Sequence, residues 1–193
     1  MKKTNKILII STCKEKLHEL EFIKPIEDIL KKQKTNFTAK HYKELSLKDI
    51  NKAKKIIICG TSLQDNEFIE DINQFQWIKN SDKPILGICA GMQIIGLIFN
   101  ENNRKEKINT KTEIGFYTEK FRKNFLNIEG EKEVYHLHNN SIDFSKSNEF
   151  EVFASSENVS QAVKHKSKNI FGILFHPEVR NKELIINFVN QNN

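Results

Sequence analysis

One segment constrains what this chain can fold into more than any other: Pro84-Ile85-Leu86-Gly87-Ile88-Cys89-Ala90-Gly91-Met92-Gln93. Its apolar first half reads as a buried strand, and the following Ile94-Ile95-Gly96-Leu97-Ile98-Phe99 reads as a buried helix. Only a tight turn fits between them, and Cys89 sits on it between two glycines. A thiol on a strand-to-helix turn, cleared of neighbouring side chains by glycine, is how a fold presents a nucleophile. Backbone N–H groups at the helix start favour negative charge there, and they lie where an oxyanion forms during acyl transfer.

A second apolar strand, Ile170-Phe171-Gly172-Ile173-Leu174-Phe175, ends in His176-Pro177-Glu178-Val179. A histidine at a strand exit can act as base and then acid for a cysteine nucleophile. A carboxylate two residues on can hold its tautomer, and Pro177 stiffens the exit. Cysteine and histidine far apart in sequence are the usual parts of a spatial constellation. A lone cysteine or histidine is commonly structural. It is the pairing of these two motifs that points to chemistry.

Gly87-Ile88-Cys89-Ala90-Gly91-Met92-Gln93 together with Phe175-His176-Pro177-Glu178-Val179 resembles the class I glutamine amidotransferases, glutaminases with a Cys-His-Glu triad that supply ammonia to a synthase. The resemblance implies Cys89 as nucleophile, His176 as general base and acid, Glu178 as orienting carboxylate, and Gln93 as a group holding glutamine. Val134-Tyr135-His136-Leu137-His138-Asn139-Asn140 is similar to the family segment whose histidine precedes a substrate-binding loop. His138 takes that histidine's place, and backbone groups of Asn139 and Asn140 would meet the ends of glutamine. The oxyanion donors would be the N–H of Ala90 and one from Gly60 or Thr61.

Two departures are visible. The family's glycine-proline oxyanion loop is replaced by Gly60-Thr61-Ser62-Leu63, and the glycine pair expected after the nucleophile helix gives way to the polar stretch Asn100–Lys111. Thr61 is poorly suited to a flip toward positive φ. The isolated chain is therefore expected to be a weak glutaminase until a partner docks.

Composition narrows the alternatives. At 193 residues, one glutaminase domain over 1–193 is expected, large enough to bury a sizeable core. Three cysteines without a C-x-x-C pair argue against a disulfide scaffold or structural zinc, and Cys13 and Cys59 read as structural. The apolar run Ile7–Ile10 is too short for a signal peptide core or a membrane span, so a cytoplasmic protein is expected. The net charge of +6 is spread along the chain rather than gathered in a basic stripe, which argues against nucleic acid as a partner. Lys31-Lys32 and Lys52-Lys54-Lys55 read as solvated helix faces.

The predicted elements alternate at first. Ile7–Ser11 is a strand, Ile23–Lys32 a helix with Pro25 in its first turn, and Asn36–Tyr42 a strand. Ser46 caps a helix over Leu47–Ala53, Lys55–Cys59 is a strand, and Phe68, Ile69, Ile72 and Phe75 mark an amphipathic helix. After the nucleophile helix come strands at Glu113–Glu119, Glu133–His138, Glu149–Ser155, Gln161–Lys166 and Ile170–Phe175. A helix at Lys182–Val189 closes the chain. This predicts an α/β fold with a mixed, mainly parallel central sheet flanked by helices, with a nucleophile elbow and the site at the carboxyl ends of the parallel strands. The flavodoxin-like form of that architecture is the one the resemblance implies.

Glutamine hydrolysis with ammonia passed to a separate synthase chain is thus the leading expectation, with no cofactor. A γ-glutamyl hydrolase with the same triad, acting without a synthase, is the alternative, and a non-catalytic regulatory chain is a third. His136-x-His138 places two imidazoles on one strand face, but with no third ligand evident no metal site is expected.

Overall fold

The computed structural model describes residues 6–99, 108–157 and 159–191. Most of the polar stretch Asn100–Lys111, and the lysine-rich start before Lys6, lie outside the described residues. The first half alternates as its sequence predicts: β1 (Lys6–Ser11), α1 (Glu19–Phe22), α2 (Lys24–Lys32), β2 (Asn36–His41), α3 (Leu47–Lys52), β3 (Lys55–Ile58), α4 (Glu67–Glu70), α5 (Trp77–Asn80), β4 (Ile85–Ile88) and α6 (Ala90–Phe99). The second half is mostly strands: β5 (Ile108–Phe125), β6 (Ile128–Ile142), β7 (Phe150–Ser156), β8 (Val159–His165), β9 (Ile170–Ile173), and then α7 (Glu183–Asn190).

Seven strands form one sheet in the order β2-β1-β3-β4-β9-β8-β7. The first five are parallel, and β8 and β7 extend them antiparallel. Alternate residues of each strand feed two separate cores, as the strand period of two requires. Ile7, Ile9, Ile57, Leu86, Ile88 and Ile173 pack on one face with residues of α2 and α7. Leu8, Ile10, Ile56, Ile58, Ile85 and Ile170 pack on the other with residues of α5 and α6. Coverage on both faces explains why these strands are continuous apolar runs.

Local signals account for several boundaries. Pro25 lies in the first turn of α2, where its missing N–H has no helical partner. Ser46 and Asp49 form a reciprocal capping box at the start of α3. The single amphipathic helix expected over Phe68–Phe75 is instead α4, a 3-10 turn over Ile72–Phe75, and α5. Phe68, Ile72, Phe75 and Ile78 are all buried, so the apolar spacing is kept while the backbone tightens between the pieces.

Two expectations need correction. The strands predicted at Glu113–Glu119 and Glu133–His138 do not join the main sheet. They are parts of the long strands β5 and β6, which pair only with each other as a two-stranded antiparallel ribbon. The ribbon packs Phe121, Phe125, Ile128 and Val134 into the core beside Phe171 and Phe175. Lys55 is not on a solvated face either. It is buried at the start of β3, and its ammonium donates to the carbonyls of Phe188 (2.7 Å), Val189 (3.0 Å) and Gln191 (2.6 Å) at the end of α7. Burial lowers its pKa. A cation at a helix C-terminus satisfies carbonyls that the helix leaves open. Lys55→Met should therefore lower unfolding stability by about 2–3 kcal/mol in urea titrations, because the carbonyls of Phe188, Val189 and Gln191, the first two buried, lose a charged donor. A change under about 0.5 kcal/mol, the size usual for a solvated surface position, would contradict this placement.

Candidate active site

Cys89 follows β4 directly and precedes the first residue of α6. Its φ is +50°, a left-handed conformation that a non-glycine residue holds at a cost of about 1–3 kcal/mol. The strain is imposed by packing. A Cβ on Gly91 would lie 2.2 Å from the Ile58 carbonyl oxygen, so α6 approaches β3 more closely than any side chain allows. The Cys89 N–H donates to the Ile173 carbonyl at 2.7 Å, which ties the elbow to β9, the strand that leads to His176.

His176 is held from three directions. Its Nδ1 hydrogen-bonds Glu178 Oε1 at 2.7 Å, which fixes the ring tautomer. Its own N–H donates to the Tyr135 carbonyl of β6 at 2.8 Å, so the ribbon anchors the strand exit. Gly60 lies against the ring: a Cβ there would come within 2.6 Å of His176 Cε1 and 3.2 Å of Cys89 Cβ. His176 Nε2 has no hydrogen-bond partner among the described residues. Burial opposes charge on this ring, but the Glu178 carboxylate and then Cys89 outweigh it, and the pKa lies well above the ordinary histidine value. The surroundings of His176 thus favour the charged form of the ring beside Cys89. Burial pushes the Cys13 and Cys59 thiols up in pKa, most strongly at Cys59.

The loop expected to supply an oxyanion donor follows β3, which lies between β1 and β4. The Gly60 carbonyl faces the β1 side, where it accepts from Thr12 Oγ1 at 3.5 Å. In a trans peptide the next N–H points the opposite way. The Thr61 N–H therefore points toward the β4 side, where Thr61, Cys89 and Ala90 line one cleft. Neither Thr61 N–H nor Ala90 N–H has an acceptor among the described residues. Thr61 is not among the residues at positive φ, the conformation to which its sequence is poorly suited. The loop is pinned by Asp65, a residue that no motif singles out. Asp65 Oδ2 accepts from Thr61 Oγ1 (2.6 Å) and the Lys14 N–H (3.0 Å) and meets His18 Nδ1 (3.0 Å). Burial raises the Asp65 pKa, and these hydrogen bonds more than offset it, leaving the carboxyl below its usual range.

The far wall of the cleft is β6. Gln93, His138, Asn139 and Asn140 all line the cleft. Cys89 Sγ lies 3.6 Å from the Leu137 carbonyl. Gln93 Nε2 donates to the Asn140 carbonyl at 2.8 Å, so these two expected substrate contacts hold each other. The Asn139 amide donates to the Leu63 carbonyl at 3.1 Å across the cleft. His138 faces inward, toward His136 and Glu113. Burial, then the neighbouring His136, pushes its pKa down to about 4. Glu113 is the third group beside the two imidazoles, and it comes from β5, which sequence spacing alone did not connect to them.

The raised pKa of His176 has a consequence for stability. A histidine charged more readily in the folded than in the unfolded chain adds stability that is complete below about pH 6.5. This stability is lost as pH rises through the higher folded value. Glu178→Gln removes the charge that raises it. The stability gap between wild type and Glu178→Gln should therefore be largest near pH 6 and shrink as the pH is raised from there in denaturant titrations. A gap that stays constant or widens over that range would show that the ring is not held charged.

The glutamine amidotransferase class-I family model matches residues 18–191. A component of the glutamine-hydrolyzing GMP synthase of Methanosphaera stadtmanae is 37% identical over 116 residues, which cover 58% of this chain and 62% of that protein. The GMP synthase of Spiroplasma kunkelii is 31% identical over 201 residues, covering 98% of this chain but only 36% of the longer relative. The imidazole glycerol phosphate synthase subunit HisH 2 of Campylobacter jejuni is 28% identical, with 95% of this chain and 97% of that protein covered. Among solved structures, a Thermoplasma acidophilum protein assigned as a component of GMP synthase superposes with a TM-score of 0.82 at 20% identity, covering 98% of this chain and 94% of that one. A glutamine amidotransferase from Thermotoga maritima gives 0.66 at 19% identity, covering 93% and 79%. These two likenesses establish the fold, which is the mixed, mainly parallel sheet expected. With the family model spanning nearly the whole chain, the protein belongs to the class I glutamine amidotransferases.

Proposed function

We propose that this chain hydrolyses glutamine to glutamate and ammonia through a thioester on Cys89, and that the ammonia passes to a synthase partner. The observation that carries the reading is the buried His176, bound to Glu178 through Nδ1 and left with a free Nε2 beside a thiol on a strained elbow. The relatives support it, being named as glutamine-hydrolysing synthases or as components of a synthase.

Cys89 Sγ attacks the carbonyl carbon of the glutamine side-chain amide, and a C–S bond forms. The N–H groups of Ala90 and Thr61, both without acceptors, hold the resulting oxyanion. His176 gives its proton to the amide nitrogen as the C–N bond breaks, and ammonia leaves. It then takes a proton from water, whose oxygen attacks the thioester. Glutamate departs and the thiolate–imidazolium pair is restored. Glu178 keeps the ring oriented and favours its charge throughout. Gln93 and the backbone of Asn139 and Asn140 bind the ends of glutamine once the Gln93–Asn140 hydrogen bond opens.

A partner fits what the surface displays. Leu17 and Leu20 are 73% and 62% exposed, and Phe116 and Val179 are 60% and 47% exposed. Leu17 precedes His18, which braces the oxyanion loop. Val179 follows Glu178, and Phe116 lies on the ribbon. Large apolar groups on site-bearing segments suit a docked chain. No helix among the described residues is long and apolar enough to cross a membrane.

Cys89→Ala should reduce ammonia release from glutamine by about 10³-fold or more while preserving the fold. His176→Ala should be nearly as damaging and Glu178→Ala milder, because Glu178 acts through the ring. Ammonia release measured with any available synthase present checks the series. A Cys89→Ala chain keeping more than about a tenth of wild-type turnover would refute the nucleophile assignment.

A further inference from the structure

Behind the cleft, on the ribbon, lies a buried group of side chains that the proposed reaction does not use. Glu113 stands directly opposite His138 in the β5–β6 register, and Gly115 stands opposite His136. Glu113, His136 and His138 are 4%, 0% and 1% exposed. Glu113 Oε2 lies 2.9 Å from His136 Nδ1 and 3.1 Å from His138 Nε2, and the two ring nitrogens are 3.2 Å apart. Three ligand-type atoms thus form a nearly equilateral triangle out of water.

We propose that Glu113, His136 and His138 bind one divalent transition-metal ion of the zinc type, bridging β5 to β6 beneath the substrate loop. The spacing fits. Zinc bonds of about 2.0–2.1 Å at tetrahedral angles place ligand atoms about 3.3–3.4 Å apart, and a small relaxation of the triangle reaches that value. The donor set fits too, since two imidazoles and one carboxylate suit zinc and its neighbours rather than calcium or magnesium.

The surroundings are those of a supported site. Glu113 Oε1 is held by the Lys111 ammonium at 2.7 Å, and Gln161 Nε2 donates to Glu113 Oε2 at 3.1 Å. A metal on Nδ1 of His136 requires the ring proton on Nε2. That nitrogen has no hydrogen-bond partner among the described residues, and it faces Glu119 Oε1 at 3.5 Å. A carboxylate behind a metal-bound imidazole orients the ring and strengthens the ligand. Glu119 is fixed in turn by Ser156 Oγ at 2.8 Å. Without a metal, the two imidazole nitrogens and the Gln161 amide crowd one carboxylate oxygen. The ion would lock the strand that continues as Leu137–Asn140, the far wall of the cleft. It is a positioning element, and the inference stands whether or not the chain hydrolyses glutamine.

The test is zinc retention by the whole chain. The protein is stripped with a chelator, given Zn²⁺, dialysed, and examined for metal content and for X-ray absorption at the zinc edge. The expected result is about one zinc per chain in a shell of nitrogen and oxygen with imidazole scattering. Retention should fall at least about tenfold in folded His136→Leu and Glu113→Gln chains and persist in Cys89→Ala. No retention by wild type would overturn the proposal and leave a hydrogen-bonded cluster alone. A sulfur in the shell, or loss on Cys89→Ala, would place the metal at the thiol and overturn it as well. Unchanged retention in folded His136→Leu would do the same. Should both ribbon variants fail to fold, the wild-type shell decides by itself.

Discussion

The close approach of α6 to β3 is the constraint on which the rest of the site depends. With a Gly91 Cβ excluded at 2.2 Å from the Ile58 carbonyl, the helix begins almost in contact with the sheet. The chain has no room to turn gradually between β4 and α6, so Cys89 takes the left-handed conformation. The apolar burial of Ile94, Ile95, Leu97 and Ile98 offsets that strain. Packing two residues away from the thiol thereby decides where the thiol points, and leaves the Ala90 N–H without an internal acceptor beside it.

Charge is handled by the second half of the chain. An imidazolium with almost no exposure is costly unless a carboxylate meets it directly, and the 2.7 Å contact with Glu178 meets that requirement. The ribbon makes the arrangement rigid. Tyr135 holds the His176 backbone, Leu137 lies over Cys89, and Asn139 reaches across to the loop that follows β3. Three segments distant in sequence are therefore fixed to one another around the cleft. The ribbon that fixes them carries its own buried Glu-His-His group close behind.

What could be read from sequence was what depends on neighbours in the chain. The elbow, the His-Pro-Glu exit, the capping box at Ser46 and the apolar strands are local patterns, and each appears where its residues place it. What could not be read depends on contacts across the fold. Lys55 looks like its neighbours Lys52 and Lys54 until α7 ends above it. Glu113 looks like any charged strand residue until β6 places His138 opposite it and His136 within reach. Asp65 and His18 brace the loop after β3 from segments with no motif at all. The ribbon strands were predicted too short because polar residues such as Lys120 and Lys123 face solvent along most of their length, which hides the alternation.

The central claim is that Cys89 is a nucleophile shaped for glutamine. The most direct measurement is intact-mass and peptide mapping after exposure to a diazoketone analogue of glutamine, with and without a copurified synthase. The account predicts a single adduct on Cys89, suppressed by glutamine and absent from the buried Cys13 and Cys59. A Cys89 that stays unmodified even with the partner bound, or labelling that glutamine does not suppress, would contradict it and favour a non-catalytic chain that keeps the fold.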